Sequence, residues 1–229
     1  YGTFTAYPFK EEAVFNSDNK EIKQMLDIGW RTARLNAWES YMDCPYYEQL
    51  QYIGDSRIQV MVSYFNSSDD RLARNALTQI DHSRIAEGIT RSCYPTKGTQ
   101  LIPTFSLWYI GMLHDYWMYK TDDAFVKDKL IGERAILAFF QKYQQADGSL
   151  ANVPYWAFVD WAGNLWAEAR DESGSGAIYN LQLLYAYQWA AEMEAEIGLQ
   201  DYANIYRAKA EQLKATIQRK YWNPSKKLY

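Results

Sequence analysis

Three carboxylates stand close together in the stretch DCPYYEQLQYIGDSRIQ, residues 43–59. They are Asp43, Glu48 and Asp55, set among Tyr46, Tyr47, Tyr52 and Ile53. Acids crowded in partly apolar surroundings raise one another's pKa, which can keep one of them protonated near neutral pH. A protonated carboxyl can then give its proton to a leaving oxygen while another carboxylate activates water, the division of labour that glycoside hydrolysis demands. The plainer alternative is structural. Asp43 would cap a helix, Glu48 would complement the helix dipole and Asp55 would be solvated.

The elements that must position these acids read as helices. Pro45 suits the first turn of a helix and not its interior, so one is expected over residues 47–65, ending at NSSDD. On it, Glu48 and Asp55 lie about two turns apart and share a side with Gln51, Tyr52 and Gln59. Asp43 falls just before it. A first helix, capped by Ser17 and Asp18, would align Ile22, Leu26 and Ala33. Others are expected over 70–82, 105–119 and 123–143, the last closed by Asp147-Gly148. Ile178, Leu181, Tyr185, Trp189 and Met193 mark a sixth, with Gly198 at its C-terminal end. Tyr206, Ala210, Leu213 and Ile217 mark a seventh, up to Tyr221. Little reads as strand, so the class is all-α. Long loops are left at 39–46, 83–104 and 144–176, and the last has the length of a functional loop.

Composition narrows the function classes. The 229 residues are 48% hydrophobic and 23% charged, with a net charge of −4, as in an ordinary globular domain. No basic run suggests a nucleic-acid partner, and no apolar run approaches the ~18 residues of a membrane span. Cys44 and Cys93 are too few for a disulfide framework and too far apart for metal-site spacing, and read as free thiols. No G-x-S-x-G elbow, P-loop or G-x-G-x-x-G fingerprint occurs, and His82 and His114 read as structural. Aromatic residues reach 17%, with 20 Tyr, 9 Trp and 9 Phe, which suits either a large helical core or a sugar-binding cleft. The N-terminus YGTFTAYPFK has neither an initiator Met nor a signal-peptide core, and 1–15 reads as a lead-in from a preceding domain.

The string DCPYYEQLQYIGD resembles the acidic signature of bacterial α-L-rhamnosidases of the six-hairpin, (α/α)6-barrel type: Asp-Cys-Pro, two residues, Glu, then Gly-Asp before a helix. GWRTARLNAWESYMDCP, EGITRSCYPT, IPTFSLWYIGMLHDYW and YWAFVDW are similar to that family as well. The resemblance implies a glycosidase that hydrolyses terminal α-L-rhamnosides with inversion and without a metal or other cofactor. Glu48 would be the general acid, with Asp43 and Asp55 holding sugar hydroxyls and keeping Glu48 protonated. Many members carry an Arg beside the Glu and a Trp before the Gly, where this chain has Tyr47, Gln49 and Tyr52-Ile53; that departure bears on sugar specificity. The general base of the family comes from further downstream, and no position here matches its context. A twelve-helix barrel needs about 350 residues or more, so 1–229 is expected to be a single, partial catalytic domain. Another (α/α)6 glycosidase of different sugar specificity, or a non-catalytic carbohydrate-binding or scaffold module, are the alternatives.

Further candidates lie in VPYWAFVDWAGNLW, residues 153–166, where Trp156, Trp161 and Trp166 flank Asp160. Ring faces and one acceptor suit a pyranose, and a buried aromatic plug is the structural reading. The resemblance brings Asp160, Trp161 and Trp156 to the pocket rim and Arg91 near the cleft. Trp108 reads as core or as a sugar contact. Glu87 and Arg91, four apart, read as a local ion pair, and Asp171 and Glu172 as caps for the helix that follows.

Overall fold

The computed structural model describes residues 1–162, 165–172 and 174–229. Its elements are α1 (Lys20–Leu35), α2 (Ile53–Asn66), α3 (Arg71–His82), α4 (Pro103–Tyr119), α5 (Asp123–Gln141), β1 (Phe158–Ala162), β2 (Leu165–Glu168), α6 (Ala177–Glu196) and α7 (Gln200–Tyr221). α4 opens with Pro103 in its first turn and buries Leu107, Tyr109, Ile110, Met112, Leu113 and Tyr116. A helix that is apolar nearly all round belongs in the interior. It packs against α2 and α6 on either side and against α3 and α5 behind, while α7 lies along α6 and α1 along α2. Inner helices α2, α4 and α6 therefore alternate with outer helices α1, α3, α5 and α7. This is the helical-hairpin layering of an (α/α)6 toroid, of which the chain carries a part.

Alternation of direction sorts the connections. The links 67–70, 120–122 and 197–199 leave the inner helices and are short, whereas 36–52, 83–102 and 142–176 lead into them and are long. The long loops meet. Tyr94 N–H donates to the Gln51 carbonyl at 3.3 Å and Trp156 N–H to the Leu101 carbonyl at 3.3 Å. Thr104 Oγ1 donates to the Phe158 carbonyl at 2.5 Å. One end of the inner layer thus carries all three long loops, the place where rigid helices can present varied side chains.

Several expectations are corrected. α2 begins at Ile53 rather than near residue 47. Asn19, whose side chain accepts from Glu21 N–H at 2.9 Å, caps α1 in place of Ser17 and Asp18; Ser17 Oγ instead accepts from Asn19 N–H at 3.1 Å. The N-cap of α6 is Gly176, without a side-chain cap, so Asp171 and Glu172 do not serve there. Residues 158–162 and 165–168, read as loop, pair as antiparallel strands with Trp161 opposite Trp166 and an irregularity between Phe158 and Asp160. Along α1 only Trp30 is buried, while Met25, Leu26 and Ile28 are exposed.

Candidate active site

The loop before α2 is closed by Asp43. Its Oδ1 accepts the Leu50 N–H at 2.9 Å, and its own N–H donates to the Leu50 carbonyl at 2.9 Å. Inside this ring, Glu48 N–H donates to Cys44 Sγ at 3.3 Å, and Gln49 adopts a left-handed φ of 56°. A left-handed residue and a carboxylate that takes the backbone N–H are incompatible with a continuous helix. The expected shared helical face for Glu48 and Asp55 is therefore not formed. Glu48 stands exposed on the loop, and Asp55 sits in the first turn of α2. Between them Tyr52, in extended conformation, bridges to Cys93 on the next loop and precedes the helix.

The acids nevertheless come together in space. Asp55 is pushed up to about 6, first by burial and then by the negative charges of Asp43, Asp160 and Glu48. Four carboxyls from three segments therefore share one field: the Asp43 ring, the start of α2 and the β1 strand. Burial, followed by the charges of Cys93 and Glu48, holds the Tyr52 phenol far above its ordinary value. Burial also raises the Cys93 thiol. Cys44 and Cys93 are free, as the sequence suggested, with Cys93 buried.

An aromatic wall runs beside the acids. Tyr52 meets Phe105 edge-on at 6.2 Å, Phe105 meets Phe158 at 6.1 Å, and Phe158 touches both Trp156 at 4.5 Å and Trp161 at 5.4 Å. Gly54 makes this possible, because a Cβ there would stand 3.1 Å from the Phe105 ring. Trp161 is 65% exposed, and its backbone N–H donates to Asp160 Oδ1 at 2.7 Å. Acceptor carboxylates next to exposed indole suit a ligand with apolar C–H faces and hydroxyl edges. The side chain of Trp166 lies outside the described residues.

The remaining candidates separate. Trp108, half-buried on α4, lies against Arg57 and Trp189. Arg91 lies over the Tyr94 ring at 5.9 Å, and its N–H donates to Ser83 Oγ at 3.1 Å. Glu87 accepts from the Tyr155 hydroxyl at 2.7 Å instead of forming the expected local pair with Arg91. His114 contacts Glu192 at 2.8 Å. Phe105 and Phe158 were not singled out in sequence, although each lies inside a segment quoted there, IPTFSLWYIGMLHDYW and VPYWAFVDWAGNLW. Gly54 beside an acid was the signal that a large ring had to approach.

A model of the bacterial alpha-L-rhamnosidase 6 hairpin glycosidase domain matches residues 10–229. Among solved structures, a GH78 family rhamnosidase of Bacillus sp. GL1 superposes with a TM-score of 0.85 at 22% identity, over 96% of this chain and 23% of that one. A rhamnosidase from Klebsiella oxytoca with rhamnose bound gives 0.80 at 18% identity, over 92% and 40%. An α-L-rhamnosidase from Aspergillus terreus gives 0.80 at 14%, over 96% and 26%. The chain thus spans less than half the length of each of these proteins, and at such identities the likeness is one of fold. No curated protein sequence matches significantly. The family match covers nearly the whole chain and agrees with the alternating helices: the chain belongs to the bacterial α-L-rhamnosidase six-hairpin glycosidase domain family.

Proposed function

We propose that this domain belongs to an inverting α-L-rhamnosidase in which Glu48 is the general acid. Water attacks the anomeric carbon of a terminal α-L-rhamnoside as its bond to the leaving oxygen breaks. Glu48 gives its proton to that oxygen, and the proton of the attacking water goes to a base supplied from outside this chain. Asp43 and Asp55 accept sugar hydroxyls and disfavour a further negative charge beside them. Asp160, Trp161 and Trp156 hold the sugar's edge and face, with Trp108 and Arg91 further round the cleft. The reaction written this way needs no metal or other cofactor.

The observation that carries this reading is the gathering of Asp43, Glu48 and Asp160 around the half-buried Asp55 carboxyl beside exposed indole. Its test is proton NMR of the full-length protein acting on an aryl α-L-rhamnoside, with other aryl glycosides in parallel. Release of β-L-rhamnose before mutarotation is expected. Release of the α anomer, or preference for another sugar, would overturn it. A second assignment has an observation of its own: with a pKa of about 6, Asp55 can itself hold a proton under mildly acidic conditions. In that case Asp55 is the donor and Glu48 a hydroxyl acceptor.

A further inference from the structure

Below the carboxyls, on the faces where α2, α4 and α6 meet, Arg57 links all three helices. Its Nε donates to Asp115 Oδ2 at 2.7 Å and its Nη2 to Asp115 Oδ1 at 3.3 Å. The side chains of this pair are only 20% and 15% exposed. The guanidinium carbon stands 5.0 Å from the Trp108 ring centre and 4.5 Å from that of Trp189. Those two indoles are 6.3 Å apart and inclined at 44°, so the cation occupies the wedge between them. Trp189 is backed in turn by Tyr185, stacked at 5.4 Å. Room for the wedge comes from Gly111, where a Cβ would lie 2.7 Å from the Arg57 guanidinium carbon and 2.8 Å from the Trp189 ring.

A largely buried ion pair is weak as a source of stability, because desolvation offsets most of its attraction. What this one supplies is geometry. A planar guanidinium with two hydrogen bonds to one carboxylate has a fixed plane, and an indole lying on it is fixed too. Trp108 lies one turn along α4 from Phe105, the ring that packs against Tyr52 and Phe158 in the aromatic wall. Arg57 follows Asp55 by two residues on α2. The clamp therefore joins the helix that bears the half-buried Asp55 to the helix that bears the wall.

We propose that Arg57 is a positioning residue that holds the Trp108 indole in place as part of the sugar-binding wall. The proposal rests on the reading of Trp108 as a wall of that pocket. A sugar contact made equally in ground and transition states governs KM more than kcat, and that split distinguishes positioning from general support of the fold.

The experiment compares Arg57→Met, Arg57→Lys and Trp108→Phe in the full-length protein, by steady-state kinetics on an aryl α-L-rhamnoside, near-UV circular dichroism and thermal melting. Arg57→Lys keeps the charge beside Asp115 but not the planar surface, and so guards against simple misfolding of Arg57→Met. Both Arg57 variants are expected to raise KM roughly tenfold with kcat changed less than about threefold. The near-UV signal lost in Trp108→Phe should also be lost in both. KM within about twofold of wild type in a folded Arg57→Lys, with the Trp108 signal intact, would overturn the proposal. A wild-type protein that neither binds nor cleaves α-L-rhamnosides would instead fault the functional reading, and the near-UV comparison would still decide whether Arg57 fixes Trp108.

Discussion

Asp43 and Leu50 are bonded to each other twice, through the Asp43 carboxylate and through the backbone, both at 2.9 Å. That ring turns the segment bearing Glu48 into a closed loop and delays α2 until Ile53. Asp43 thus has two duties, one in closing the loop and one in the carboxyl cluster around Asp55.

The two duties can be separated by substitution. Asp43→Asn keeps an acceptor for the Leu50 N–H, so its melting temperature should stay close to wild type while activity falls. Asp43→Ala should lose the loop closure as well, at about 1 kcal/mol for the hydrogen bond, or roughly 2–4 °C in melting temperature. Its turnover should fall by ~100-fold or more, the cost of misplacing a reacting group by about 1 Å. Equal melting temperatures for the two variants would show that the ring contributes nothing to the fold.

Asp55 predicts a pH dependence with a definite sign. Its folded-state pKa of about 6 lies above the ordinary carboxylate value. Between roughly pH 4 and 6 the unfolded chain releases a proton that the folded chain keeps, so stability falls as pH rises through that window. Asp55→Asn should therefore melt higher than wild type above pH 6 and no higher at pH 4. If Asp55 acts as a hydroxyl acceptor, it must be ionised, and kcat/KM should rise with pH through about 6, a limb that Asp55→Asn abolishes. A fall in kcat/KM through the same region would instead favour Asp55 as the proton donor.

Glu133, on α5, is fully buried, with neither carboxyl oxygen hydrogen-bonded. Burial, with the nearby charge of Glu194 adding to it, raises its pKa well above the ordinary value, and Arg134 opposes the rise. Arg134 is committed to Glu194, with bonds of 2.5 and 2.8 Å. Keeping the acid protonated adds no penalty below the unfolded-state pKa of about 4.3, and stability is lost as pH rises above that value. Glu133→Gln should therefore raise the melting temperature by an amount that grows from pH 4.5 to pH 8. A constant difference across that range would mean that Glu133 titrates alike in the folded and unfolded chains.

Local pattern made much of this architecture legible. The apolar spacing of Leu72, Ala76 and Ile80, or of Tyr206, Leu213 and Ile217, follows the helix period because each line packs on one neighbour. The start of α2 was misread because Asp43 captures the Leu50 N–H and Gln49 turns left-handed, choices that no periodicity records. The pairing of β1 and β2 is short and lies inside an aromatic loop, where alternation is hard to see. In the site, the acids stood out by residue type, whereas their spacing misled, because Glu48 lies on a loop and shares no helical face with Asp55. Arg57 was not, since its partners Asp115 and Trp189 lie 58 and 132 positions away and only the packing of the inner helices unites them.

The role of Glu48 is tested most directly by Glu48→Gln in the full-length protein, assayed on two α-L-rhamnosides that differ in leaving group. One would carry a nitrophenolate, which departs without protonation, and the other an aliphatic alcohol, which does not. A general acid contributes ~10²–10⁴-fold where its proton is needed. The alkyl rhamnoside should lose turnover by that order, while the nitrophenyl rhamnoside loses far less. Equal losses on both substrates, or near-wild-type turnover on the alkyl rhamnoside, would contradict Glu48 as the proton donor.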